Sequence, residues 1–257
     1  MKRTVCLFIL SVVTFGLATG CGSHMAPSNA TSTTAPSPTP PVANPNAKTI
    51  AAIEALGGWE NCTSCTGNPF AVYSMKQGIA APSLSGSSAR FQLLSGTKPF
   101  GAALWFKFLG AHDDATHFVY DLSFLADNPE AAQALEFNVS QSTGGSRYSF
   151  ATQCDLAGTH TWRVWDPGAQ RWADAAVPCS APAANTWNHL TWEFERDQGG
   201  NTVFTAVTLN GIRSTVNLSM GHTADSSSGI DVGFQLDAVR TATPYSVWLD
   251  RISLTYW

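Results

Sequence analysis

The chain has 257 residues, of which 12% are charged, about half the share of a typical soluble domain, with 14 Lys and Arg against 18 Asp and Glu. A net charge of −4 with no Lys/Arg cluster leaves nothing to neutralise a phosphate backbone, which excludes nucleic acid as a partner. At 44% hydrophobic the chain is neither disordered nor built of repeated membrane spans, and its length suits one domain of about 200 residues with tails.

In chain order, residues 1–20 read as an export signal. Lys2 and Arg3 are its basic start, Val5 to Leu17 is an apolar run too short to span a bilayer, and Ala18-Thr19-Gly20 precedes Cys21. This stretch resembles a bacterial lipoprotein signal, with Ala18 where that pattern prefers Leu. The resemblance implies lipidation of Cys21 and an exported protein held on the cell envelope by that lipid alone. The alternative is ordinary secretion with cleavage nearby. Loss of Lys2 and Arg3 leaves 12 basic and 18 acidic residues, a charge of −6. Residues 21–46, rich in Pro, Ser, Thr and Ala, lack the apolar bulk to fold and read as an extended tether. The folded domain is expected over 47–257.

Ile50, Ile53 and Leu56 fall at helical spacing before Gly57-Gly58 and predict one short N-terminal helix. With Cys6 in the signal and Cys21 lipidated, four cysteines remain for an oxidising compartment. Three pairings are open, and the shortest loops favour Cys62 with Cys65 and Cys154 with Cys179. A Cys-x-x-Cys redox pair or half a zinc site is the alternative for the first two. No βαβ context surrounds them, and the other two are too far apart for a second zinc knuckle.

Beyond residue 90 the pattern alternates. Strands are predicted at 91–94, 101–109, 117–125, 133–141, 147–154, 161–166, 187–196, 202–210, 211–218, 230–237 and 246–256. Turn sequences such as Asp166-Pro167-Gly168 separate them, and Asn210-Gly211 is a type I′ hairpin signal. About a dozen strands with no helical crossover predict an all-β fold, a two-sheet antiparallel jelly-roll sandwich.

Alternation also sorts the side chains. Leu135, Phe137 and Val139 share one face, leaving Glu136, Asn138 and Ser140 on the other. Leu190, Trp192 and Phe194 oppose His189, Thr191, Glu193 and Glu195. Ile230, Val232, Phe234 and Leu236 oppose Asp231, Gly233, Gln235 and Asp237. If these strands are neighbours, one sheet carries a floor of Glu, Asn, Gln and Asp, the donor and acceptor set that grips sugar hydroxyls. A solvated outer face is the plainer alternative, although it would ordinarily carry more Lys and Arg. The tryptophans exceed the needs of the core, and indole faces stack on pyranose rings. Trp105, out of parity with Leu104, Phe106 and Phe108, joins Trp162 and Trp165 as the expected platform.

The strand Glu136-Phe137-Asn138-Val139-Ser140-Gln141 resembles the Glu-x-Asp-x-x-Glu strand of glycoside hydrolase family 16, within the concanavalin A-like lectin/glucanase superfamily. Segments from Pro82-Ser83-Leu84 to Trp248-Leu249-Asp250 resemble exported bacterial jelly-roll modules of that superfamily, a group without assigned activity. The family implies that Glu136 stands at the nucleophile, with Asn138 and Gln141 replacing the intervening Asp and the acid/base Glu, and that a bulge brings Gln141 to the face of Glu136. Retaining hydrolysis needs two carboxyl groups about 5 to 5.5 Å apart, and an amide cannot protonate a leaving oxygen. These substitutions lean against an enzyme.

The first reading is therefore a tethered, monomeric, lectin-like module that binds polysaccharide without cleaving it. Its ligand residues would be Glu136, Asn138, Gln141, Gln153, Gln235, Trp105, Trp162 and Trp165. The second is an enzyme of the same fold, either a hydrolase pairing Glu136 with Glu193 or a lyase using His189, Tyr120, Tyr148 and Arg147. The third is a structural or adhesive envelope protein. No cofactor is expected. The superfamily often holds a structural calcium, for which Asp113, Asp114, Asp225 and Asp231 are available, but no calcium-loop spacing occurs and no metal site is assigned.

Overall fold

The computed structural model describes residues 44–257. The expected signal peptide, Cys21 and the expected tether as far as Ala43 lie outside the described residues. Sixteen strands follow in chain order: β1 (Lys48–Ile50), β2 (Glu60–Cys62), β3 (Tyr73–Ile79), β4 (Ser88–Leu93), β5 (Ala102–Gly110), β6 (His117–Ala126), β7 (Ala132–Thr143), β8 (Ser146–Asp155), β9 (Thr161–Asp166), β10 (Arg171–Pro178), β11 (Asn188–Arg196), β12 (Thr202–Leu209), β13 (Ile212–Met220), β14 (Thr223–Ala224), β15 (Gly229–Ala238) and β16 (Tyr245–Tyr256). They form two eight-stranded antiparallel sheets. One runs β13-β12-β11-β6-β16-β4-β3, with β1 also on β16; the other runs β10-β9-β8-β7-β15-β5-β2, with β14 on β8. Neighbours distant in sequence, such as β6 beside β16 and β7 beside β15, make this the expected jelly-roll sandwich.

The core lies between the sheets, where alternation sends one side-chain set from each strand. Leu135, Phe137 and Val139 of β7, Ile230, Val232, Phe234 and Leu236 of β15, and Leu190, Trp192 and Phe194 of β11 are all buried. Aromatic rings join the two layers: Phe91 of β4 meets Phe234 at 5.1 Å between centroids, and Trp192 of β11 meets Trp162 of β9 edge-on at 5.3 Å. Such pairs add about 0.5–1.5 kcal/mol each beyond the area they bury. Asn210 and Gly211 both adopt positive φ, 51° and 82°, as the type I′ turn between β12 and β13 requires.

The N-terminal helix shrinks to a single 3₁₀ turn, Ile53–Ala55, because Ile50 is already paired in β1. Three residues are too few to nucleate an α-helix. Tertiary bonds hold the turn instead: Gln77 Nε2 donates to the carbonyls of Glu54 and Leu56, while the buried Glu54 carboxylate accepts from the amides of Arg251 and Ile252. Strands β1, β2, β3, β10 and β14 are not among the predicted elements. Disulfides join Cys62 to Cys65 and Cys154 to Cys179, the pairing with the shortest loops. Among the described residues no helix is long and apolar enough to cross a membrane.

Candidate functional site

The sheet containing β7 and β15 turns its other face outward, and in-register pairing arranges that face in transverse rows. Gln235 of β15 pairs with Leu104 of β5 on one side and Glu136 of β7 on the other. Glu136 pairs with Gln153 of β8, and Gln153 with Arg163 of β9. The adjacent row is Phe106, Gly233, Asn138 and Ala151; the next is Phe108, Asp231, Ser140 and Ser149. Small residues thus occupy the centre and polar ones surround them. The result is a cleft of about 510 Å³ lined by Glu136, Asn138, Ser140, Asp231 and Gln235 on its floor, with Trp165 and Trp172 at one rim and Cys65 and Thr66 at the other. Gly233 keeps the centre open: a Cβ there would stand 3.4 Å from both Asn138 Cβ and Leu104 Cδ1.

A chain of hydrogen bonds fixes the floor. Gln153 Nε2 donates to Glu136 Oε1 at 2.8 Å, and its carbonyl accepts from Arg163, which also pairs with the buried Asp155 at 3.2 Å. Gln235 Nε2 donates to Asp237 Oδ1 at 2.9 Å. Asn138 Oδ1 accepts from the Thr152 amide, leaving the amide nitrogen beside Glu136. At the opposite end Arg147 donates to both carboxylate oxygens of Asp231, at 3.0 and 3.3 Å. Trp165 and Trp172 meet across β9 and β10 edge to face, 5.4 Å between centroids, and hold each other's orientation.

The floor carboxyl Glu136 has a second carboxyl, Asp237, beside it. Burial, with the Asp237 carboxyl beside it, pushes Glu136 well above the ordinary carboxylate range, although Gln153 and Asn138 pull the other way. Burial also holds Asp237 at about 6, against the hydrogen bonds from Gln235 and Glu136 and the charge of Arg163. Each carboxyl raises the cost of ionising the other, so burial and mutual repulsion both favour the protonated form of Glu136.

Of the residues expected at the site, Glu136, Asn138, Gln235 and Trp165 line the cleft, and Gln153 supports Glu136 from the next strand. Three do not. Gln141 is fully buried, donating to the carbonyls of His112 and Ala115, because β7 pairs with β8 without a register shift from Ala134 to Thr143. The bulge implied by the family resemblance is absent, so an offset of five leaves Gln141 facing the core. Trp105 is buried against Tyr73 and Phe91, and Trp162 against Phe137 and Trp192. The parity argument for Trp105 held, but it is Leu104, Phe106 and Phe108 that face outward. Trp162 and Trp165, three apart on one strand, necessarily face opposite ways.

The proposed partners of Glu136 also lie elsewhere. Glu193 and His189 are on β11, in the other sheet, where Glu193 pairs with Arg213 and His189 Nε2 lies 2.8 Å from Asp121 Oδ2. Tyr120 and Tyr148 are buried. Trp172, Ser140, Ser149, Arg147 and Asp231 also line the cleft without having been among the expected ligands, although parity places Ser140 and Asp231 on this face and Arg147 is named for the lyase reading. Pairing of β10 with β9 would have exposed Trp172, but β10 was not predicted. Asp113 accepts from Ser228, Asp225 from Ser142 and Ser227, and Asp231 from Arg147; among the described residues no three acidic, His or Cys side chains gather as a metal site.

Strand order and an open cleft on one sheet define a two-sheet antiparallel jelly-roll sandwich. No protein-family model and no curated protein matches the chain. Among solved structures it is similar to a carbohydrate esterase from Shiga toxin-encoding bacteriophage phi24B, at 14% identity over 82% of this chain and 99% of that one, with a TM-score of 0.49. An alginate lyase in complex with an alginate trisaccharide matches at 11% identity over 80% and 97%, with a TM-score of 0.47. Peanut lectin matches at 11% identity over 82% and 98%, with a TM-score of 0.44.

Proposed function

We propose that the cleft binds a polysaccharide and does not cleave it. The observation that carries this reading is the joining, in one hollow, of an amide and carboxyl floor (Glu136, Asn138, Gln235) with an indole rim (Trp165, Trp172). Amides offer donors and acceptors together, as sugar hydroxyls demand, and an indole supplies a flat apolar face for a ring. The test is a glycan array followed by titration of any hit. Trp172→Ala should weaken binding at least about tenfold, the effect of losing an aromatic anchor, while melting near the wild-type temperature. Trp162→Ala, in the core, should instead cost about 3–5 kcal/mol of stability. Unchanged affinity in a folded Trp172→Ala protein would overturn the assignment.

One observation favours a second reading. Burial raises the carboxyls of both Glu136, on the cleft floor, and its neighbour Asp237, and carboxyls raised in this way can act as acid and base. New reducing ends or unsaturated products from a bound glycan would establish it. The two disulfides fit an exported protein. We infer attachment to the envelope through a lipid on Cys21; Cys21→Ser should abolish palmitate labelling and release the protein from membranes, and retention of both would refute it.

A further inference from the structure

Both arginines on the cleft face are already matched by carboxylates. Arg147, the one cationic side chain lining the cleft among the described residues, is bound by both oxygens of Asp231. Its second nitrogen reaches Ser142, whose hydroxyl donates to Asp225 at 2.7 Å. Arg163, near the other end, is held by Asp155 and by the Gln153 carbonyl. Between these pairs the cleft is lined by the uncharged Asn138, Gly233, Ala151, Leu104, Phe106 and Gln235, with Glu136 the one further carboxyl among its lining residues.

We propose that the cleft selects electrically neutral glycans and rejects uronate and sulfated chains. The proposal rests on the binding reading above and specifies its ligand class. A sugar carboxylate or sulfate placed on this floor would find no free cation. To gain one it must displace Asp231 from the Arg147 nitrogen that both its oxygens share, which leaves that carboxylate unpaired, or lie beside the Asp231 carboxylate and be repelled. A neutral ring meets neither cost. Asp231 thus acts as a specificity-determining residue by masking Arg147, a discrimination built from repulsion as well as attraction.

The experiment is affinity gel electrophoresis of the described domain with its native leader removed. Neutral gels carry mixed-linkage β-glucan, galactomannan or dextran; anionic gels carry alginate, polygalacturonate or chondroitin sulfate. Wild-type protein should be retarded by at least one neutral polymer and by none of the anionic ones at physiological salt. Asp231→Asn frees Arg147 and should bring retardation by an anionic polymer, at least about tenfold stronger than wild type and abolished by high salt. Retardation of the wild type by anionic and not neutral polymers would overturn the proposal while leaving glycan binding intact. Retardation by neither class would remove the binding reading itself, and this inference with it. A folded Asp231→Asn protein that gains no anion binding would overturn the masking role. Should that variant fail to fold, the wild-type comparison decides.

Discussion

Neutralising Glu136 and its neighbour Asp237 should change how stability depends on pH. In the folded protein Asp237 holds its proton to about 6, against an ordinary 3.8, because burial disfavours the charged form. An acid with a raised folded value binds more protons folded than unfolded, so stability must fall as pH rises between those values. The full effect is about 3 kcal/mol, of which about 2 kcal/mol develops between pH 4.5 and 7.5. Glu136, also raised, adds in the same direction. So do Glu54 and Asp231, whereas Asp155, Asp225 and Asp250 are lowered and withdraw their support only as pH falls through the acid range. A double variant, Glu136→Gln with Asp237→Asn, isolates the pair, since amides preserve the bonds from Gln153 and Gln235. Urea unfolding of both proteins from pH 4.5 to 7.5 should show the variant gaining at least about 2 kcal/mol relative to wild type as pH rises. A stability difference that stays constant across that range, or moves the other way, would refute the raised carboxyls.

Gly233→Val should fill the centre of the cleft, because its Cβ meets only ordinary contacts at 3.4 Å; stability should change by less than about 1 kcal/mol while glycan binding is lost, as paired melting and titration would show. The disulfides should differ in worth. Cys154 and Cys179, 25 residues apart, close a loop whose entropy corresponds to about 3.5 kcal/mol, against about 1.6 kcal/mol for Cys62 and Cys65, three apart. Serine replacement of each pair, followed by urea unfolding, checks the order.

Much of the fold was legible because the apolar residues alternate and the turns carry Gly, Asn and Pro. Beta-strand parity correctly separated Glu136, Asn138 and Gln235 from Phe137 and Phe234, and pairing then brought the three together. Parity alone does not say which face is the core when both are apolar. In β5, Trp105 alternates with Leu104, Phe106 and Phe108, and only the neighbouring strands decide that the indole goes inward while Phe108 stays 53% exposed. Gln141 was misplaced for the opposite reason: family resemblance overrode a periodicity that was right. Trp172 escaped notice because β10 carries an irregular register between Asp174 and Pro178, which blurs its alternation.

The rims of the cleft belong to opposite edges of one sheet. Trp172 lies on β10 and Thr66 just beyond β2, the first and last members of a seven-strand ladder. Laid flat, six steps of about 4.8 Å would set those edges about 29 Å apart. Both border the same hollow, so the coiling of the whole sheet works as a calliper that sets the gap between them. A guest touching both jaws would clamp every intervening strand at once, and fraying of either margin would loosen its hold.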